Sequence, residues 1–150
     1  MDGDAGILGQ ARLAGYRKWE GTDPFEDHAG PFFYRQNTDG QYSCAFLAGP
    51  THVNAGGAIH GGCLMTFADF SLFIFTKPAL TDVSAVTISF SSEFVGAGFE
   101  GDLIEAEGEM VRETGSLVFA RGTILTRRSE GETVTLLTYS GVLKKIRSGG

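Results

Sequence analysis

One acid stands inside a run that is otherwise apolar. From His60 to Thr76 the chain reads HGGCLMTFADFSLFIFT, and Asp69 is the sole Asp, Glu, Lys or Arg within it. Its neighbours Leu64, Met65, Phe67, Phe70, Phe73 and Ile74 are large and hydrophobic. A segment apolar on all sides reads as a buried helix. A charged, unpaired carboxylate in such a helix loses hydration at a cost of several kcal/mol. Packing alone favours leucine there, so an acid held in that position points to chemistry.

The elements that must position Asp69 follow from local signals. A helix from about Gly61 to Lys77 would carry it, and Pro78 would stop that helix, because the residue before a proline avoids the helical region. Upstream, Phe32 to Arg35 and Tyr42 to Leu47 flank Thr38-Asp39-Gly40, which is the pattern of two strands around a turn. Residues 48–59 are rich in Gly, Asn, Pro and Thr and read as a loop. Downstream, Val86, Ile88, Phe90 and Phe94 alternate with Thr87, Ser89, Ser91 and Glu93, a period of two. A glycine-rich turn at 96–101 leads to an alternating run over Leu103 to Val111. Turns at Glu113-Thr114-Gly115-Ser116 and Ser129-Glu130-Gly131-Glu132 separate it from runs over Leu117 to Thr126 and Thr133 to Leu143. Connections this short predict antiparallel neighbours. Ile7 to Glu20 could form a short helix, and residues 148–150 a frayed tail. The order is strand, strand, long helix, then four strands. A curved antiparallel sheet around one helix satisfies it, an α+β arrangement. One sheet covers only part of a helix that is apolar all round, and a second copy of the chain is the economical cover for the remainder.

The chain of 150 residues suffices for one domain with a real core. Its net charge of −6 argues against general nucleic-acid binding. A local basic cluster could still hold an anionic ligand. Arg121, Arg127 and Arg128 form one candidate, and Lys144, Lys145 and Arg147 another; each of these side chains also reads as an ordinary solvated charge. Cys44 and Cys63 imply neither a disulfide framework nor a zinc site, and no metal is expected. The N-terminus lacks the basic and apolar regions of a signal peptide. The apolar run around 58–76 is interrupted by His60, two glycines and Asp69, a poor fit to a membrane span. A cytoplasmic protein that meets no membrane is the expectation.

Asn54, then six residues to His60-Gly61-Gly62, then an acid nine residues beyond the histidine, resembles the hotdog-fold thioesterases of the PaaI type, within the 4-hydroxybenzoyl-CoA thioesterase-like superfamily. The resemblance extends to Asp27-His28-Ala29-Gly30-Pro31-Phe32, to Val86-Thr87 and to Gly101-Asp102, and so spans about residues 25–143. It implies an N-terminal extension over 1–24, a hotdog domain over 25–147 and a tail over 148–150. Many relatives carry an Arg-Pro pair where this chain has Val95-Gly96.

The resemblance implies hydrolysis of an acyl-CoA thioester to acid and CoA, with no cofactor. Attack by water needs a base and a place for the developing oxyanion. Asp69 matches the family's acid, either activating the water or attacking directly. Gly61, at the helix start, would offer a backbone N–H where the dipole favours negative charge. Asn54 could add a side-chain N–H, His60 would orient Asn54 or its loop, and Thr87 would help hold the water. Gly62 and the three arginines, Arg121, Arg127 and Arg128, are candidates for substrate binding. Each has a plainer reading: Asn54 as a turn former, the glycines as helix entry, His60 as a cap, Thr87 as a good strand residue. His28 and His52 read as surface or loop residues.

Two other activities fit the same fold, a non-catalytic acyl-CoA-binding module and a dehydratase acting on a 3-hydroxyacyl thioester. A buried base is unneeded in the first, and the second places its His and acid differently.

Gly61 and Asp69 are eight residues apart, about 12 Å along an unbroken helix. One thioester carbonyl cannot meet both. Two antiparallel helices across a two-fold axis can bring the start of one beside the middle of the other. The expected assembly is therefore a homodimer with two shared sites, Asn54 and Gly61 of one chain facing Asp69 and Thr87 of the other. The family resemblance adds that such dimers often pair into homotetramers.

Overall fold

A computed structural model describes Leu13 and residues 15–147. Seven antiparallel strands form one sheet: β1 (Arg17–Lys18), β2 (Phe33–Gln36), β3 (Tyr42–Leu47), β4 (Ser84–Phe94), β5 (Leu103–Glu113), β6 (Leu117–Arg127) and β7 (Thr133–Ile146). Among the described residues two α-helices accompany it, α1 (Pro24–Ala29) and the long α2 (Gly61–Phe75). The predicted helix around Asp69 is thus present, ending two residues before Lys77, which opens a 3-10 turn over Lys77–Ala79. Half of the predicted helix over Ile7 to Glu20, and the predicted frayed tail, lie outside the described residues; the described half corrects the helix reading, since it holds turns and the strand Arg17–Lys18.

The sheet order is β1-β2-β3-β5-β6-β7-β4. The hairpins β2–β3, β5–β6 and β6–β7 pair as their short turns predict. The connection from β4 to β5 does not. β4 pairs with β7 at the sheet edge, while β5 lies between β3 and β6. The glycine-rich segment between them is tied instead to the loop before α2. Ile59 donates its N–H to the Gly98 carbonyl at 2.8 Å, and Gly101 donates to Ala48 at 2.8 Å. Hydrogen bonds to another segment outweighed the local hairpin tendency. Gly96 fits this path closely: a Cβ there would lie 2.2 Å from the Thr135 carbonyl oxygen, which rules out the proline that many relatives carry.

The core lies between α2 and the sheet. Phe32, Phe46 and Phe67 form an aromatic cluster with ring centroids 4.8–5.3 Å apart. Aromatic pairs at such separations favour tilted and edge-on contacts. Ser71, fully buried on α2, donates to the Ala68 carbonyl and bonds the Tyr139 hydroxyl of β7. Where β5 and β6 run under α2, the sheet must be thin. A Cβ on Gly108 would stand 2.3 Å from the Arg121 carbonyl oxygen and 2.5 Å from the Phe75 ring. Backbone cannot yield as a side-chain tip does, so Gly108→Ala is expected to cost about 1–3 kcal/mol. A lower denaturant midpoint at unchanged m-value would show it.

One stripe of α2 remains open in the single chain. Met65 is exposed, and Gly62, Thr66, Asp69 and Phe73 are only partly covered or uncovered. Their three- and four-residue spacing is one helical face. Beside this stripe runs β4, whose outer edge has no strand partner among the described residues. Val86, Ile88, Phe94 and Val95 are exposed there, each near half of its maximal area.

Candidate active site

Asp69 sits midway along the open stripe, and its carboxylate is the acceptor of a 2.6 Å hydrogen bond from the Thr87 hydroxyl of β4. The strand is irregular at that point. Pairing with β7 runs Thr87 to Leu143 and Ser89 to Val142, leaving Ile88 as the extra residue of a bulge. The simple alternation predicted for β4 groups Val86, Ile88 and Phe90 on one face. The bulge splits them: Val86 and Ile88 are exposed, while Phe90 packs against the core and Thr87 turns to the helix. Bulges re-aim side chains and gather next to active sites. Burial holds the Asp69 carboxyl above the ordinary carboxylate range; the Thr87 hydrogen bond pulls it back, and the charge of Asp23 adds to the rise.

The other end of the helix is built by its cap. His60 precedes α2 in an extended conformation, and its Nδ1 accepts the Gly62 N–H at 2.8 Å. That bond leaves the ring proton on Nε2. The His60 carbonyl accepts from Cys63 and Leu64. The Gly61 N–H has no acceptor among the described residues, as expected at the first helical position. Gly61 also lies under the Phe94 ring of β4; a Cβ there would meet it at 3.1 Å.

Asn54 is exposed, and its amide oxygen accepts from Gly56 at 2.9 Å and Ala58 at 3.2 Å. It therefore shapes its loop, and the same bonds leave the amide N–H groups as its free end. No hydrogen bond joins His60 to the Asn54 side chain, and the His60 backbone N–H donates to the His52 carbonyl. His52 keeps the loop half of its surface-or-loop reading, since it ends the 3-10 turn Pro50–His52, and corrects the surface half. It is buried, takes the Gly49 N–H on Nδ1 at 2.9 Å and reaches the Ala29 carbonyl with Nε2 at 2.8 Å. It pins the site loop to the end of α1. His28 is exposed, as expected.

Within one chain the structure thus brings Asp69 and Thr87 together and sets His60, Gly61 and Gly62 at the far end of the same helix. Gly62 has already given its N–H to His60. The three arginines are dispersed and engaged. Arg121 pairs with Glu109 at 2.6 Å, and Arg127 spans Glu105 and Glu107 on the neighbouring strand. Arg128 donates to Ala97 and Asp102, bracing the glycine-rich segment. Six residues along a strand separate Arg121 from Arg127 by about 20 Å.

A cavity of about 870 Å³ opens in front of Asp69. Phe70, Phe73 and Ile74 of α2 line it, and Trp19, Asp23 and Glu26 face them across it. These last three escaped the sequence reading, although Asp23-Pro24-Phe25-Glu26 carries a readable signal: an N-cap acid, proline at N1 and Glu at N3. Among the described residues no group of three His, Cys, Asp or Glu side chains could hold a metal ion. Among them, too, no helix is long and apolar enough to cross a membrane.

Known proteins share this fold. A Pseudomonas aeruginosa protein provisionally named an esterase is 31% identical over 100 residues, covering 66% of this chain and 75% of its own. A Bacillus halodurans protein solved with CoA superposes with a TM-score of 0.72 at 19% identity, over 97% of this chain and 91% of that one. A hexameric broad-specificity acyl-coenzyme A thioesterase superposes at 0.63 with 22% identity, over 69% and 77%. Residues 56–132, which carry His60, Gly61, Asp69 and Thr87, match the family described as the thioesterase superfamily. With that match and the helix-wrapping antiparallel sheet, this chain belongs to the thioesterase superfamily and adopts its hotdog fold.

Proposed function

We propose that the protein hydrolyses acyl-CoA thioesters at two sites, each shared between the chains of a two-fold dimer. The observation that carries this reading is the Asp69 carboxylate, held by Thr87 on an uncovered helix stripe, with the free Gly61 N–H eight residues away on the same helix. The bare edge of β4 and its exposed Val86 and Ile88 support a second copy across this face. That one fold relative is an acyl-coenzyme A thioesterase supports the substrate class.

In the shared site the thioester oxygen lies at the Gly61 N–H and Asn54 amide of one chain. Asp69 of the other chain takes a proton from water as its oxygen attacks the carbonyl carbon. The oxyanion collapses, the carbon–sulfur bond breaks, and the proton on Asp69 passes to the departing thiolate. Thr87 occupies one carboxylate oxygen and leaves the other for the water, which favours base catalysis over direct attack. The basic contacts to CoA are left to cations other than the paired Arg121 and Arg127. A cytoplasmic setting agrees with a soluble CoA-linked substrate.

Complementation tests the shared site. Asp69→Asn removes the base. Asn54→Asp keeps the acceptor that Gly56 and Ala58 use while deleting the amide donors. Each homodimer should be nearly inactive on hexanoyl-CoA. A mixed dimer carries one doubly altered site and one intact site, so random reassembly of equal amounts should restore roughly a quarter of wild-type activity. Confirmed subunit exchange without recovery would mean that each chain builds its own site. Binding of acyl-CoA by the wild type without release of thiol would favour a binding module.

A further inference from the structure

The cavity before Asp69 is built from two parts of the chain. The family match covers residues 56–132 and includes Asp69 and its apolar neighbours. Trp19, Asp23 and Glu26 come from the lead-in before that segment and form the facing wall. Asp23 caps α1, accepting the Glu26 N–H at 3.0 Å, which fixes both carboxyls on the first turn. Phe70, Phe73, Ile74 and Leu80 give the cavity an apolar floor.

The charge on this lining is lopsided. Asp23, Glu26 and Asp69 face a single ammonium, that of Lys77. Lys77 is itself drawn aside: its Nζ stands 4.5 Å from the Trp19 ring centroid and 5.1 Å from that of Tyr34, a cation–π arrangement. The wall therefore presents negative charge to whatever occupies the cavity, in surroundings where screening by water is reduced.

Resting on the thioesterase reading above, we propose that the acyl group lies in this cavity and that Glu26, with Asp23 beside it, selects the acyl group by charge. Acyl groups with an uncharged apolar body are accepted, and those ending in a carboxylate are refused. Ionisation of Glu26 adds a pH dependence. Burial pushes its carboxyl up to about 7, and the neighbouring Asp23, then Asp69 and Asp27, add to the rise. The charged groups facing it are Asp23 at the cap of α1, Asp27 of α1, Lys18 of β1, Asp69 of α2 and Lys77 after α2. Above that pH Glu26 is charged and the refusal is complete. Below it Glu26 takes up a proton and the refusal relaxes.

The test compares hexanoyl-CoA with adipoyl-CoA, which differs by a terminal carboxylate, using the full chain. The measured quantity is the ratio of their kcat/KM values, in which the ionisation of Asp69 cancels. In the wild type the ratio should rise about threefold or more between one pH unit below and one above about 7. Glu26→Gln should lower the alkaline ratio about fivefold or more and flatten its pH dependence. Asp23→Asn combined with Glu26→Gln should lower it further, since Asn keeps the helix cap. A ratio indifferent to both substitutions and to pH overturns the proposal; if a variant fails to fold, the wild-type pH dependence decides alone. Should hexanoyl-CoA not be hydrolysed at all, the thioesterase reading fails separately. Binding then serves, because Trp19 is the sole tryptophan and lines the cavity. Its fluorescence on titration with the hexyl and carboxypentyl thioethers of CoA should show the same preference, and equal affinities in wild type and variant would again overturn the selection.

Discussion

Asp69→Asn is expected to leave the fold intact and to lower thioester turnover by about a hundredfold or more, the scale on which a positioned base acts. The substitution is nearly isosteric, and the amide oxygen can still accept from the Thr87 hydroxyl. What disappears is the capacity to take a proton from water. Binding of a non-hydrolysable acyl-CoA analogue should persist, so the loss falls on kcat. In the wild type, activity should fall as the pH drops through the Asp69 pKa, which burial holds above the usual range. Stability should move the other way. A carboxyl whose folded pKa is raised costs stability once ionised, and the cost vanishes in acid, where folded and unfolded chains are both protonated. The Asn variant should therefore resist urea better than wild type at neutral pH and equally well below about pH 3.9. Near-wild-type hydrolysis by this variant would make Asp69 a structural acid and remove the mechanism.

Gly61→Val should weaken the reaction at the opposite end of the helix by a comparable amount. Among the described residues the Gly61 N–H has no acceptor, and the Phe94 ring lies where a side chain on Gly61 would begin. A valine Cβ would meet that ring at about 3.1 Å and carry its methyl groups toward the N–H. Loss of one oxyanion donor raises a barrier by about 3 kcal/mol, roughly a hundredfold in rate. Phe94 is exposed and can swing aside, so the fold should survive. The fall should appear in kcat more than in KM, because the donor serves charge that develops during the reaction. Equal losses in kcat and in substrate affinity, measured by steady-state kinetics and equilibrium binding, would reduce Gly61 to a residue of helix entry.

Much of the candidate site could be picked out in the chain because its residue types stand out against their surroundings. Asp69 is conspicuous in an apolar helix, and His60-Gly61-Gly62 marks that helix's start. The hairpins were legible because turn residues act locally. What stayed hidden depends on distant partners. The place of β4 beside β7 is set by segments some forty residues apart, and the Ile88 bulge is visible only against Leu143 and Val142. Arg121, Arg127 and Arg128 looked like a cluster in the chain. Strand geometry spreads them out, and cross-strand register hands the first two to the glutamates of β5. Glu26 drew no notice because nothing in its own neighbourhood reveals that α1 folds opposite Asp69.

The order of the sheet also has a consequence for how the protein is made. β4, with Thr87, ends at Phe94, but β7, its ladder partner among the described residues, begins at Thr133. A ribosome adding about 5–20 residues per second needs several seconds to make the intervening stretch. Throughout that time β4 lacks β7, and Phe90 remains without the Tyr139 ring on which it stacks. The strand that holds the Asp69 carboxylate through Thr87 is thus sealed into the sheet only after β5, β6 and β7 have all been made.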